Sequence, residues 1–292
     1  MYEVYTFLLT AILLWCPANA DVPDEIKNFK FEGDNFWVPE IRALCDDIEQ
    51  DVTWQYEESV CITYIQQFQL VKVEVVSTNP GLVVYRDIFT KKQVDDYLLL
   101  LETKTLETQQ VLTENGSEYY SNVRRANGTS VLQDEGPAAI SIVRTVQAMI
   151  PTIDFKVAEN IVALSYEVGG HYGIHHDYLE YDSEEDWDQY TKELGNRFGT
   201  LIMVFKTAEK GGATVFPALG STVRSNAGDA FFWFNVLGNT NIDDYTEHGG
   251  CPIYAGNKII STFWVRMNDQ PILDKVMSPS SIAYEYLVPG KV

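Results

Sequence analysis

The spacing of apolar residues changes character once along the 292-residue chain. In the first half it is mostly helical. Pro39 to Ile48 shows apolar residues at helical intervals, and a clearer case begins at Thr90. From there Val94, Tyr97, Leu98 and Leu101 share one face of a helix predicted to run to about Thr103, with Thr90 as N-cap. A second helix is expected from Ala138 to about Ile150, ending ahead of Pro151 because the residue before a proline is pushed out of the helical region. Ahead of both, Gly81-Leu-Val-Val-Tyr-Arg-Asp87 reads as a strand.

Beyond Ile161 the period shortens. Strands are predicted over Val162–Tyr166, Gly199–Phe205, Ala213–Phe216, Asp229–Asn235 and Lys258–Arg266, separated by Gly, Asn and Asp. An even series of short strands points to a sandwich or jelly-roll barrel. Ala230-Phe-Phe-Trp-Phe-Asn235 is apolar without alternation, which places it inside the sandwich with its aromatics as core. The fold class expected is α+β, mainly β.

The candidate chemistry lies in the strand-rich half. Tyr166-Glu-Val-Gly-Gly-His-Tyr-Gly-Ile-His-His-Asp177 sets His175 and Asp177 two positions apart in a β-reading segment, where alternate side chains share a face. A third ligand is supplied by His248 in Asp244-Tyr-Thr-Glu-His-Gly-Gly-Cys-Pro252. Two histidines and a carboxylate with open positions form the facial arrangement of non-haem Fe(II) oxygenases. Zinc would accept the same donors, and its affinity order would favour it. Lys258, ten residues after His248, decides for iron: a cation there can pair with the distal carboxylate of 2-oxoglutarate, a dianion for which a zinc hydrolase has no use.

His175-x-Asp177, Gly211-Gly-Ala-Thr-Val-Phe-Pro217 and His248-Gly-Gly-Cys-Pro252 followed by Gly256-Asn-Lys258 resemble, in order and spacing, the catalytic domain of collagen-type prolyl 4-hydroxylase α subunits. The resemblance runs from about Gly81 to Met267. It implies a double-stranded β-helix with helices packed on one sheet. It implies too that His175, Asp177 and His248 hold Fe(II), and that Lys258, Tyr166 and Thr214 bind 2-oxoglutarate. On the substrate side it implies that Tyr172 contacts the target proline, that Arg197 lies near the peptide groove and that Trp264 adds an aromatic of the last strand. Ascorbate would be the reductant that rescues the iron. Read without the resemblance, Thr214 is a strand residue, Tyr166 and Trp264 are core aromatics, and Arg197 is an ion-pair partner for the acidic run before it.

Some positions depart from that pattern. His176 stands where an aromatic is usual, and strand alternation turns it away from the ligands. His171, where an amide is common, is expected only to line the entrance. Gly173-Ile174 replaces a Glu-Pro pair, Ile259 a tryptophan and Arg266 a histidine. These positions bear on substrate choice and leave the reaction class alone. Glu180 to Asp188 carries six carboxylates, either a solvated face or a bias of the groove against acidic peptides.

Composition sets the compartment. With 42 Asp and Glu against 21 Lys and Arg, the net charge of −21 argues against a nucleic-acid surface and suits neutral or basic polypeptide partners. Phe7 to Trp15 is an apolar core followed by Ala18-Asn-Ala20, a secretory signal pattern over residues 1–20, although Glu3 leaves it without a basic n-region. A short signal anchor is the alternative, but the run is too short to span a bilayer comfortably, so no membrane insertion is expected after cleavage. In an oxidising lumen Cys16 leaves with the signal, and Cys45 and Cys61, near each other, are expected to pair, as the resemblance also implies. Cys251 is then left as a buried thiol or pairs outside the chain. Asn115-Gly-Ser117 and Asn127-Gly-Thr129 are glycosylation sequons in a stretch from about Gln110 to Gly136 that reads as a surface loop or as a lid over the groove.

The expected division is 1–20 signal, 21–80 lead-in, 81–270 catalytic domain and 271–292 tail. The expected function is procollagen-proline 4-hydroxylation in the endoplasmic reticulum lumen or after export. Its polypeptide substrate is collagen-like and proline-rich, and disulfide isomerase is a candidate partner, although a 60-residue lead-in is too short for the family's usual dimerisation region. The rivals are a dioxygenase of the same fold with another substrate and a non-catalytic binding module. Lysyl-type relatives generally use arginine at the position of Lys258, which disfavours them.

Overall fold

The computed structural model describes residues 24–46, 60–112, 117–276 and 278–291. The signal-like segment and the Asn115 sequon lie outside them. Two antiparallel sheets dominate. The larger has nine strands, in the order Val60–Gln66, Gln69–Ser77, Leu82–Arg86, Ala230–Phe234, Arg197–Lys206, Lys258–Arg266, Ile161–Tyr166, Asn127–Val131 and Glu107–Thr108. The smaller has five: Ser221–Val223, Thr214–Phe216, His248–Gly250, His171–His175 and Arg124–Arg125. The two sheets enclose the double-stranded β-helix core that the resemblance implies.

Both faces of the larger sheet are covered, which explains why its central strands do not alternate. Leu201, Met203, Phe205, Phe232, Phe234 and Phe263 join the cluster built with the helices Lys91–Glu102 and Gly136–Met149. Their neighbours Ile202, Val204, Phe231 and Trp233 point into the space between the sheets. Thr90 caps the first helix through a capping box with Gln93, and Tyr97 stacks on Phe205 at 4.2 Å while its hydroxyl reaches Ser261 at 3.1 Å. Truncating a helix residue buried in this way, such as Leu101, to alanine costs about 2–5 kcal/mol.

Three sequence expectations are corrected. Cys45 pairs with Cys251, not with Cys61, which is exposed on the edge strand Val60–Gln66. The segment from Gln110 to Gly136 is not a plain loop: Asn127–Val131 pairs with Ile161–Tyr166 inside the large sheet, with Asn127 exposed at its start. His171 does not line an entrance. It is fully buried behind the small sheet, with its ring against Phe31 and Trp37 and its nitrogens on the carbonyls of Gly169 and Asn122.

The lead-in is built into the same body. Val60–Gln66 and Gln69–Ser77 extend the large sheet through Leu82–Arg86, so the expected division at residue 81 runs through one sheet. Residues 24–46 cross the outer face of the small sheet, where Trp37, Cys45 and Ile41 pack with Val215, Cys251 and Ile174. The helix Pro39–Asp46 is fastened there by the disulfide and by Tyr254, whose hydroxyl donates to Asp46. Gly33 lets this segment approach: at φ +96° a Cβ would lie 2.1 Å from the Asn122 carbonyl. Among the described residues no helix is long and apolar enough to cross a membrane.

Candidate active site

The two histidines are brought together by strand register. His171–His175 runs antiparallel to His248–Gly250 with His175 opposite His248, and the register shifts between Tyr172 and His175. The shift has a consequence for side-chain direction. It puts Tyr172 on the inner face with His175, ring on ring at 3.6 Å, while Ile174 packs outward. Asp177 follows just beyond the strand, with Oδ1 3.7 Å from His175 Nε2 and Oδ2 3.6 Å from His248 Nε2. Donor atoms of the three residues lie within 4.8 Å of one another, the only such group of three or more among the described residues.

The donors are in the right state for a divalent metal. Each histidine has Nδ1 on the carbonyl two residues back, His175 on Gly173 at 2.8 Å and His248 on Thr246 at 2.9 Å. Nδ1 therefore carries the proton, and the Nε2 lone pair faces inward. Burial lowers the pKa of both rings, and that of His175, lowered further by His248, falls to about 3, so both are neutral at pH 7. Burial pushes the Asp177 carboxyl up, but the Arg197 guanidinium and the Thr200 hydroxyl act the other way and hold it below the usual carboxylate range. Two neutral imidazoles and an ionised carboxylate on one face suit Fe(II). His176 is not part of this group.

A cavity leads from the triad to Lys258, between Leu164, Ile202, Ile253 and Ile260. Lys258 is 8% exposed, and burial alone lowers its pKa to about 8. Its ammonium donates to the Gly212 carbonyl at 2.5 Å. That carbonyl is presented by the Gly211-Gly212 pair at φ +81° and +76°, where a Cβ on Gly212 would lie 2.6 Å from Ile253. Tyr166 is paired directly across from Lys258, and burial pushes its phenol up to about 12, which keeps it a donor. Thr214, buried, lines the same cavity, as do Tyr172 and Trp264.

Arg197 lies behind the cavity wall, against Trp264. It does not line the cavity; it grips Glu159 at 2.6 and 3.1 Å and lies over the Trp264 ring at 3.7 Å. Its ion-pair partner is therefore Glu159 and not the acidic run. Arg266, fully buried, joins the same carboxylate and Asp188, while Asp188 caps the helix Gln189–Leu194. One carboxylate of the acidic run is thus structural, whereas Glu180, Asp182, Glu184 and Glu185 are exposed.

Two residues escaped sequence reading. Arg124 lines the cavity with its guanidinium 4.6 Å from the Tyr172 ring centre; a basic pair beside a sequon gave no hint of that. Thr200, in an apolar strand, donates to Asp177 Oδ2 at 2.7 Å.

Residues 161–266 match the model of the 2OG-Fe(II) oxygenase superfamily. The chain is 28% identical over 222 residues to probable prolyl 4-hydroxylase 3 of Arabidopsis thaliana, covering 68% of this chain and 74% of that protein. It is 27% identical over 186 residues to prolyl 4-hydroxylase subunit alpha-2 of Gallus gallus, covering 64% of this chain but 34% of that one. Among solved structures, the collagen prolyl hydroxylase of Paramecium Bursaria Chlorella virus-1 in its 2OG complex aligns with a TM-score of 0.49 and 19% identity, over 63% of this chain and 94% of that one.

Proposed function

The chain is a dioxygenase of the 2OG-Fe(II) oxygenase superfamily, and from that premise we propose that it hydroxylates prolyl residues at C4 in collagen-like, proline-rich polypeptides. The observation that carries the reading is the pairing of a buried His-Asp-His triad with a buried lysine across one apolar cavity. Fe(II) bound with 2-oxoglutarate supplies oxidative decarboxylation to succinate and carbon dioxide coupled to C–H hydroxylation, one oxygen atom of O₂ going to each organic product.

The chain's own part is ligation, orientation and exclusion of water. His175, Asp177 and His248 would hold the metal. Lys258 pairs with the distal carboxylate of 2-oxoglutarate, exchanging a backbone carbonyl for a full counter-charge in a dry site. Tyr166, opposite Lys258, and Thr214 add hydrogen bonds to the same co-substrate. Tyr172, stacked on His175, is the surface against which the target proline lies. Trp264 adds a wall that Arg197 holds in place.

The names of the curated relatives support prolyl 4-hydroxylation, and ascorbate as reductant is part of the same proposal. The signal-like segment and a disulfide between Cys45 and Cys251 support an endoplasmic reticulum or exported location, with disulfide isomerase a partner that would retain the chain. The test is mass spectrometry of a proline-proline-glycine repeat peptide after incubation with the protein, Fe(II), 2-oxoglutarate and ascorbate. A one-oxygen gain on proline, absent in His175→Ala, is the expected result. Succinate without peptide modification would remove the collagen-like substrate and keep the dioxygenase.

A further inference from the structure

We propose that Thr200 and Asn235 decide which oxygen of Asp177 is the metal ligand. The inference rests on the reading of the triad as a metal centre. Thr200 is fully buried at the middle of the strand Arg197–Lys206, in register with Trp233 on one side and Trp264 on the other. A hydroxyl at the centre of an apolar sheet is destabilising unless it is used. Here its Oγ1 lies 2.7 Å from Asp177 Oδ2 and 3.0 Å from Asn235 Nδ2.

Counting protons gives the direction of the chain. Thr200 has one hydroxyl proton, and its Oγ1 donates it to Asp177 Oδ2. The threonine oxygen is left with lone pairs alone, and Asn235 must donate to it through Nδ2. Asn235 is itself 2% exposed and pinned at its backbone: its N–H donates to the Phe198 carbonyl and its carbonyl accepts from the Asp243 N–H. The relay therefore starts from a fixed point and ends on one carboxylate oxygen.

The consequence is a choice between two binding modes. The hydrogen bond takes up one lone pair of Oδ2, 3.6 Å from His248 Nε2, and leaves Oδ1, 3.7 Å from His175 Nε2, the stronger donor, through which Asp177 would bind by one atom. A carboxylate that turned to offer both oxygens would take a position that 2-oxoglutarate or dioxygen needs. Thr200 and Asn235 are positioning residues that keep that position open.

The test is anaerobic titration of the full chain with Fe(II), paired with the ligand-field absorption of the Co(II)-loaded protein. Thr200→Val keeps the shape and removes the donor; Thr200→Ser keeps the donor. Thr200→Val should weaken Fe(II) binding by roughly 10–100-fold, the range typical for losing an outer hydrogen bond on a ligand. It should also change the Co(II) spectrum as the carboxylate gains a second contact. Thr200→Ser should restore both affinity and spectrum, and Asn235→Ala should shift them in the same direction as Thr200→Val, by less. Thr200→Val with the affinity and spectrum of the native chain would overturn the proposal. Should Thr200→Val not fold, Thr200→Ala carries the same expectation and the same refutation. A native chain that binds neither metal would instead refute the metal centre itself.

Discussion

His175 and His248 stand directly opposite each other on two antiparallel strands, with ring centroids 4.4 Å apart. The candidate metal site thus depends on β register: a slip of one residue would send one imidazole to the outer face. Asp177, only two residues from His175, needs no such long-range agreement.

The first prediction concerns that pair. His248→Ala should leave far-UV circular dichroism unchanged, because its strand is held by backbone bonds and by the neighbouring Cys45–Cys251 bridge. Fe(II) affinity should fall by at least ~100-fold, beyond the range for losing an outer hydrogen bond. Anaerobic metal titration checks it, and native-like affinity would remove His248 from the site.

Lys258 predicts opposite effects on stability and binding. An ammonium in an apolar cavity is destabilising, so Lys258→Met should raise stability in urea by about 1–3 kcal/mol while abolishing tight 2-oxoglutarate binding. A methionine variant less stable than the native chain would show that the lysine contributes to folding.

The same lysine sets a pH dependence. Its free-state pKa is lowered from 10.5 to about 8, so between these values the unfolded chain binds more protons than the folded one. Stability of the protein free of co-substrate should therefore rise from pH 8 to 10.5 on account of this group. Binding the dianion requires the ammonium, so 2-oxoglutarate affinity should fall above pH 8, and binding there should take up a proton. Calorimetry of the native chain in buffers of different ionisation enthalpy measures that uptake, and an affinity that stays flat above pH 8 with no proton taken up would contradict it.

The disulfide gives a covalent check. Non-reducing peptide mapping should recover Cys45 joined to Cys251 and Cys61 as a thiol. Cys45→Ser should cost about 2–5 kcal/mol and Cys61→Ser nearly nothing. A Cys45–Cys61 peptide would contradict the placement of the segment 24–46.

Glu159 is shared by Arg197 and Arg266, at 2.6 and 2.7 Å. Glu159→Gln leaves two buried guanidinium groups short of their counter-charge, and a loss of about 3–5 kcal/mol is expected. Arg197 holds Trp264, so the peptide KM should rise while the 2-oxoglutarate KM stays unchanged. Equal shifts in both would mean that the network supports the whole cavity.

The grouping of His175, Asp177, His248 and Lys258 on one cavity was legible in sequence because metal ligation and anion pairing demand particular side chains at these spacings. The central strands were legible from continuous apolar runs, and the structure gives the reason, since both faces of Ala230–Phe234 are buried. Thr200 was not legible, because threonine suits any strand and its use depends on Asp177 reaching it from another element. The partner of Cys251 was hidden by a separation of 206 residues, bridged only when residues 24–46 lie across the small sheet. Asn127–Val131 was missed because Asn-Gly-Thr-Ser reads as turn chemistry; its strand conformation comes from pairing with Ile161–Tyr166.

The most direct measurement is anaerobic visible spectroscopy of the purified chain on adding Fe(II) and then 2-oxoglutarate. The account predicts a metal-to-ligand charge-transfer band that forms only with both present. The band should be lost in His175→Ala and should need far more 2-oxoglutarate in Lys258→Ala. Absence of the band in folded native protein would contradict a triad and a lysine acting together as one Fe(II) and 2-oxoglutarate site.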